Sequence, residues 1–377
     1  MGKKLRVAVI GTGCIANSAH LPALDNLRSK GLVDIVAVVD KRPASAQETA
    51  ARFNVPKWYD DSQKMLDELS PDLVAVCTPN ISHKALSIMA LEAGAHVVCE
   101  KPMALTYKDA KEMFDKAAKL NKILMACQSR RWVWDMQFVK DVIDQGDLGT
   151  PYFADISFIR RYGIPQWGTF HIHEENGGGP FCDLGVHFLD SLLWMTGNPR
   201  VEAVSGMMFD HLAKQGQKLL LDIKESGAYL GRTFTPRPYD HNEFNVEEAA
   251  VGMVRLAGNF AVNFKFTWAI NLPTQRVFIL CGDKGGINTD GKILYKNIGK
   301  YQSEIKMNYI DNRPYSGIVF DGHWYLYEHM LDVLEGKADP LVKPEETLNI
   351  VSAIEAFYKS TAQNREVATT ELEGYPR

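Results

Sequence analysis

Charge of one sign is scarce in excess: 46 Asp and Glu against 42 Lys and Arg leave a net −4 over 377 residues. That balance excludes a protein whose affinity comes from a broad basic surface, the usual footprint of nucleic-acid binding. Long hydrophobic runs are also missing. None approaches the roughly 18 residues of a membrane span, so no membrane partner is expected. Cysteine is sparse, at six, with no C-x-x-C pair and no dense framework. Cys77, Cys99, Cys127 and Cys281 sit in or beside apolar runs, where a thiol behaves as a small buried hydrophobe. The pattern fits a reducing compartment, and a cytoplasmic location is expected. The apolar run after the N-terminal lysines covers only 7–10 before Gly11 breaks it, too short for a signal peptide, and Arg6 stands where a myristoylation motif needs Ser or Thr. Internal repeats and low-complexity tracts are absent. What is present is a 46% hydrophobic chain, too apolar to be disordered and long enough for two or three domains.

Residues 1–126 alternate short β-rich runs with helical patterns, as in βαβ units wound on a parallel sheet. Strands are expected at 5–10, 34–39, 72–77, 95–99 and 123–126. These runs are continuously apolar, as strands covered by helices on both faces should be. Helices are expected at 15–30, 44–53, 62–69, 82–93 and 108–120, with Ser62 and Ser82 as N-caps. The first strand runs into Gly11-Thr12-Gly13-Cys14-Ile15-Ala16, and the second ends at Asp40. Strand before, helix after and an acid closing the next strand meet the context that a dinucleotide-binding G-x-G-x-x-G/A needs. Gly11 permits the turn, Gly13 lets a pyrophosphate approach, and Ala16 lets the helix pack on the sheet. Asp40 suits the ribose hydroxyls of NAD and repels a 2′-phosphate, while Lys41 and Arg42 keep NADP open. Thr78-Pro79-Asn80 and Glu100-Lys101-Pro102 close two later strands and should rim the same crevice. Lys101 is the first candidate for chemistry.

From Arg130 strands follow one another, arguing an α+β substrate and assembly domain over 127–377 with a mostly antiparallel sheet. Helices are expected at 132–143, 180–195, 323–334 and 344–360. Strands are expected at 152–159, 249–256, 261–268 and 277–281, with a hairpin turn on Gly258 and Asn259. The polar stretch 211–242 reads as an insertion or lid without an assigned role. Chemistry concentrates between Arg160 and Asp190. Gly177-Gly178-Gly179-Pro180 reads as a loop that lets a ligand approach. Asp183 and His187, four apart, should share one face of the helix that follows. His171, His173, Glu174 and Glu175, with Asp183 and His187, offer enough ligands for a metal, but their spacing matches no metal motif and none is expected. Tyr162 and Trp167 supply aromatic faces suited to a sugar or cyclitol ring. Arg131, Arg160 and Arg161 could bind a carboxylate or lie on a solvated face.

Taken together, Gly11–Ala16, Thr78-Pro79-Asn80 with His83, Glu100-Lys101-Pro102 and Asp183-Leu184-Gly185-Val186-His187 with Asp190 resemble the Gfo/Idh/MocA oxidoreductases over most of the chain. The resemblance implies a Rossmann domain followed by a domain with an open antiparallel sheet, used for a homodimer or homotetramer. It implies NAD held by Gly11, Thr12, Gly13, Cys14, Ile15, Asp40, Lys41, Arg42, Thr78, Pro79, Asn80, His83, Glu100, Lys101 and Gln128. It carries onto His187 the role of general base, onto Lys101 the stabilisation of an alkoxide, and onto Asp183 the orientation of His187 or of a substrate hydroxyl. Arg131, Tyr162 and Trp167 are then candidates for substrate contact. A relative that cleaves glycosides by transient oxidation and a non-catalytic NAD-binding regulator are the alternatives to a sugar or polyol dehydrogenase.

Overall fold

The computed structural model describes residues 4–215, 235–308 and 311–376, so most of the 211–242 stretch lies outside the described residues. The first sheet is laid down by β1 (Leu5–Ile10), β2 (Val33–Val39), β3 (Trp58–Tyr59), β4 (Leu73–Val76), β5 (His96–Cys99) and β6 (Leu124–Ala126). All neighbours run parallel in the order β3-β2-β1-β4-β5-β6. The order reverses between β1 and β4, which opens the crevice where dinucleotides bind. The crossovers are α1 (Leu21–Ser29), α2 (Pro43–Arg52), α3 (Ser62–Leu69), α4 (His83–Glu92) and α5 (Tyr107–Lys119). β1 and β4 are buried along Val7–Ile10 and Leu73–Val76, which is why their sequence is apolar without alternation.

Two capping expectations are corrected. The cap of α3 is Asp61, whose carboxylate accepts from the Lys64 N–H; Ser62 is already the first helical residue. Ser82 stands at the N-cap of α4, but its hydroxyl donates to Pro79 O and pairs with the Thr78 hydroxyl, both at 2.7 Å. The helix expected at 15–30 does follow the glycine loop, but it is not regular ahead of α1. Residues Ala16–His20 form a π-helical turn first, which packs His20 and Asn17 fully into the interior.

The second sheet has nine strands. They are β7 (Pro151–Ile159), β8 (Val201–Phe209), β9 (Ala249–Leu256), β10 (Phe260–Thr267), β11 (Gln275–Gly282), β12 (Gly285–Asn288), β13 (Ile293–Ile298), β14 (Tyr301–Lys306) and β15 (Val367–Ala368). Their order is β14-β13-β12-β11-β7-β10-β9-β8-β15, antiparallel throughout except for the β7/β10 pair. The expected hairpin is the β9/β10 turn, with Gly258 and Asn259 at positive φ. β3, β8 and β12–β15 were not expected, being short or broken by glycine and polar residues.

One face of this sheet is covered by α8 (Val186–Met195) and α10 (Pro344–Gln363), with Phe181 stacked on Phe357 at 4.0 Å between centroids. α6 (Trp134–Asp144) and the short α7 (His173–Asn176) lead toward α8. The remaining long helix, α9 (Asp321–Leu334), leaves the second sheet altogether. Its Leu326, Tyr327 and Met330 join the core of the first sheet, so the chain returns to the nucleotide side late. No helix among the described residues is long and apolar enough to cross a membrane.

Candidate active site

The glycine loop is shaped by two contacts. Gly11 has φ +94°, and a Cβ there would lie 2.5 Å from Cys77 O, so only glycine lets β1 turn against the end of β4. At Gly13 a Cβ would meet nothing within 4 Å; the space above it is open, as a pyrophosphate cradle requires. Asp40 braces the loop itself: one carboxylate oxygen accepts from the N–H and hydroxyl of Thr12, at 2.9 and 2.8 Å, and the other from the Arg42 N–H at 2.9 Å. Lys41 and Arg42 are exposed, and Arg42 lies 3.6 Å from Asp40. Ile15 packs against the first core, and burial pushes the Cys14 thiol up to about 12, so it stays protonated. Cys77, Cys99, Cys127 and Cys182 are free thiols whose burial pushes them up as well, whereas Cys281, expected inside, is only half-buried. The open cradle, the acid at the end of β2 and the anion-ready helix start fit a dinucleotide.

Around the other rim, His83 is pinned between carbonyls, Nε2 2.8 Å from Thr78 O and Nδ1 2.9 Å from Pro102 O; burial holds it below the usual histidine range. Pro79 opens the turn whose Asn80 donates to Asn176 O at 2.8 Å, tying this rim to the loop before α8. Gln128 is buried with its side-chain oxygen unpartnered. Glu100 accepts from His20 Nε2 at 2.7 Å, from His323 Nε2 of α9 at 3.4 Å and from the Lys101 N–H at 3.0 Å. Burial alone would raise its carboxyl, but the two histidines hold it well below the carboxylate range. Glu100 therefore fixes the backbone from which Lys101 projects.

Lys101 Nζ donates to Asp183 O and to Asp183 Oδ1, both at 3.0 Å, and Trp268 Nε1 donates to Asp183 Oδ2 at 3.1 Å. Burial opposes ionisation of Asp183, but the charges of Lys101 and Arg160, with these hydrogen bonds, keep its carboxyl below its ordinary value. His187 makes no side-chain hydrogen bond among the described residues, and its Nδ1 is buried without a partner. Burial, then the charges of Lys101 and Arg130, push its pKa well below the histidine value, so the ring is neutral at pH 7. Lys101, Asp183 and His187 are thus brought together, but Asp183 is committed to Lys101 rather than to His187. Asp183 is engaged by Lys101 and Trp268, within a π-helical turn over Phe181–Gly185 in which the Val186 N–H reaches back to Phe181 O.

The glycine run is corrected as well. Added Cβ atoms would lie 2.5 Å from Leu105 at Gly177, 1.9 Å from the Tyr358 hydroxyl at Gly178 and 2.0 Å from Glu247 O at Gly179. These glycines make room for protein, not ligand. Glu247 then accepts from the Gly179 and Phe181 N–H groups and the Tyr358 hydroxyl, anchoring the turn that carries Asp183.

Arg131 is not available to substrate. It is fully buried, with Nε and Nη2 on Asp190 at 2.9 and 2.7 Å and Nη1 on Leu341 O and Glu346. Trp167 meets Phe170 edge-on at 6.1 Å, Phe170 meets Trp268 at 6.5 Å, and Trp268 holds Asp183, so Trp167 is two rings from the site. Tyr162 bridges to Ala269 beside Trp268. The metal set around His171–Glu175 is not gathered. Among the described residues, the group whose ligand atoms lie within 4.8 Å of one another is His20, Glu100, Cys127 and His323. Its hydrogen bonds centre on Glu100, with His20 Nδ1 accepting from the Tyr327 hydroxyl at 2.6 Å. Trp268, Glu247, His323, Arg130 and Arg276 were not anticipated.

A family model described as "Oxidoreductase family, NAD-binding Rossmann fold" matches residues 5–128, and the "GFO/IDH/MocA C-terminal domain" matches 136–288. The chain belongs to the GFO/IDH/MocA oxidoreductases. It is an NAD-binding oxidoreductase of that family. Among curated relatives, D-glucoside 3-dehydrogenase of Escherichia coli K12 is 30% identical over 366 residues, 96% of this chain and 97% of that protein. Myo-inositol 2-dehydrogenase of Thermotoga maritima is 28% identical over 193 residues, 51% of this chain and 55% of that one. Of the solved structures, levoglucosan dehydrogenase in complex with NADH and levoglucosan superposes with a TM-score of 0.80, covering 97% of this chain and 100% of that one at 18% identity, a likeness of fold.

Proposed function

We propose that this GFO/IDH/MocA oxidoreductase oxidises a secondary alcohol of a sugar or cyclitol, with residues 1–126 holding the cofactor and 127–377 the substrate. Bound NAD supplies the hydride acceptor. The observation that carries the reading is the neutral, unpaired His187 beside an ammonium fixed by Asp183. His187 takes the hydroxyl proton, since its ring is unprotonated and has a nitrogen free to accept. The Lys101 ammonium, held in place before the reaction begins, stabilises the oxygen as it becomes an alkoxide. Asp183 keeps that ammonium aimed, and Trp268 keeps Asp183 aimed. Thr12, Gly13, Asp40 and the Thr78–Asn80 rim bind the dinucleotide; Asp40 at the end of β2 favours ribose hydroxyls over a 2′-phosphate. The relatives named as glucoside and inositol dehydrogenases support the substrate class. A panel of pyranosides and inositols with NAD, followed by absorbance of the reduced cofactor, tests it: free NADH accumulates if the reading holds. Glycoside cleavage without net NADH, or no redox turnover with NAD still bound, would overturn it.

A further inference from the structure

Three arginines converge beside the reactive groups without a carboxylate of their own. Arg276 on β11 is registered opposite Phe158 on β7, and its guanidinium lies 4.4 Å from the centre of that ring. Arg160, one residue past β7, covers the same ring at 5.1 Å. Arg130 covers Phe188 of α8 at 4.6 Å, and Phe188 touches Phe158 at 5.7 Å between centroids. Two contacting phenyl rings therefore gather three guanidinium groups at the end of the second sheet that faces α8.

None of the three forms an ion pair within 4.0 Å among the described residues, unlike Arg131, whose donors are engaged on Asp190 and Glu346. Arg160 is only 8% exposed, donates Nη1 to Gly163 O, and leaves Nε buried and unpartnered. Arg130 Nε is also buried and unpartnered. The charges that face them come from the site and its surroundings, and Arg276 faces both of the other two. Arg160 acts on Asp183, and Arg130 acts on His187 and faces Asp135 and Asp321. Asp183 is already neutralised by Lys101 at 3.0 Å. Buried guanidinium donors left without acceptors are costly unless something with oxygens fills the space.

We propose that Arg130, Arg160 and Arg276 form a subsite for an anionic oxygen group, a carboxylate or a phosphate, on the sugar that His187 and Lys101 act on. The proposal rests on the dehydrogenase reading above and narrows its substrate class to acidic or phosphorylated sugars. Planar guanidinium groups donate in pairs to either oxyanion, and their placement on phenyl faces fixes the planes from which they donate.

The test pairs neutral sugars with their uronic acids and 6-phosphates, in the gluco, galacto and manno series, using NAD and following NADH. An anionic member of a pair should exceed its neutral counterpart in kcat/KM by about tenfold or more, and which anion does so separates carboxylate from phosphate. Arg276 is exposed and outside both cores, so Arg276→Gln should fold. It should raise KM for the preferred anion at least tenfold more than for the neutral sugar. Neutral sugars preferred throughout, or an equal effect of Arg276→Gln on both members of a pair, would overturn the subsite and leave the dehydrogenase reading standing. If no sugar is oxidised, the dehydrogenase reading fails. Calorimetric titration of the NADH-saturated protein with glucuronate and glucose 6-phosphate then decides the subsite alone: binding lost in Arg276→Gln supports it, and no binding to the wild type overturns it.

Discussion

Single residues divide by whether their chemistry is spent inside the protein. Arg131 and Arg160 look alike in sequence, and a carboxylate role was open to both. The structure separates them, because Arg131 is closed around Asp190 while Arg160 keeps a buried donor free. Nothing local encodes that difference; it depends on α8 bringing Asp190 within reach from 59 positions away. Arg131→Met would leave Asp190 buried and uncompensated, and should cost about 3–5 kcal/mol in a denaturant titration. His187 offers a pH test. Its pKa lies well below the usual 6.5, so the proton-accepting form persists as pH falls through 6.5. The acid limb of kcat/KM for alcohol oxidation should therefore fall below pH 6.5, whereas a midpoint at or above 6.5 would show that burial does not depress it. The motif positions Gly11, Asp40, Lys101, Asp183 and His187 were readable because each needs a particular residue type at a strand end or helix start. Trp268 was not, since a tryptophan closing a strand carries no mark of the carboxylate it holds.

At the scale of elements, the parallel sheet was readable because burial on both faces makes its strands uniformly apolar. The small outer strands β12–β14 were not, because exposed strands alternate polar and apolar residues too weakly to stand out from loops. The helices expected at 15–30 and 180–195 start where expected, but the sequence did not show their internal winding. The helices after the glycine loop and before His187 each carry a π-helical turn near their start, and an extra residue per turn is invisible to a 3.6-residue pattern. Glycine needs the same care: one residue type serves opposite ends in the two loops. Gly179→Ala would press a Cβ to 2.0 Å from the Glu247 carbonyl, and should destabilise the fold by about 1–3 kcal/mol and displace Asp183. Gly13→Ala meets nothing in the protein, so its thermal midpoint should be unchanged while NAD binding weakens. Equal loss of stability in the two variants would refute this division of roles.

Across the whole molecule, one face of the second sheet carries α8 and α10 and the other has no covering element among the described residues. On that open face Ile279, Asp155, Asn263, Met253 and Ser205 form one row across five strands, and Val277, Ser157, Lys265, Val251 and Met207 the next. Met207 is 61% exposed in the single chain. The family resemblance implies that copies pair through this sheet, and its open face mixes apolar side chains with a few charges as self-complementary interfaces do. Ile279→Lys should then shift the mass measured by light scattering toward the monomer; an unchanged mass would place assembly elsewhere. The late return of α9 to the first sheet, bringing His323 to Glu100, was beyond sequence reasoning, since it joins positions 223 apart. It makes the lysine-bearing strand end a joint product of both halves of the chain. The most direct test of the central claim is turnover of His187→Ala with an oxidisable sugar or cyclitol, measured beside its affinity for NAD. A fall in kcat of roughly 10²–10⁴-fold with NAD affinity retained is the predicted result, and turnover equal to that of the wild type would contradict it.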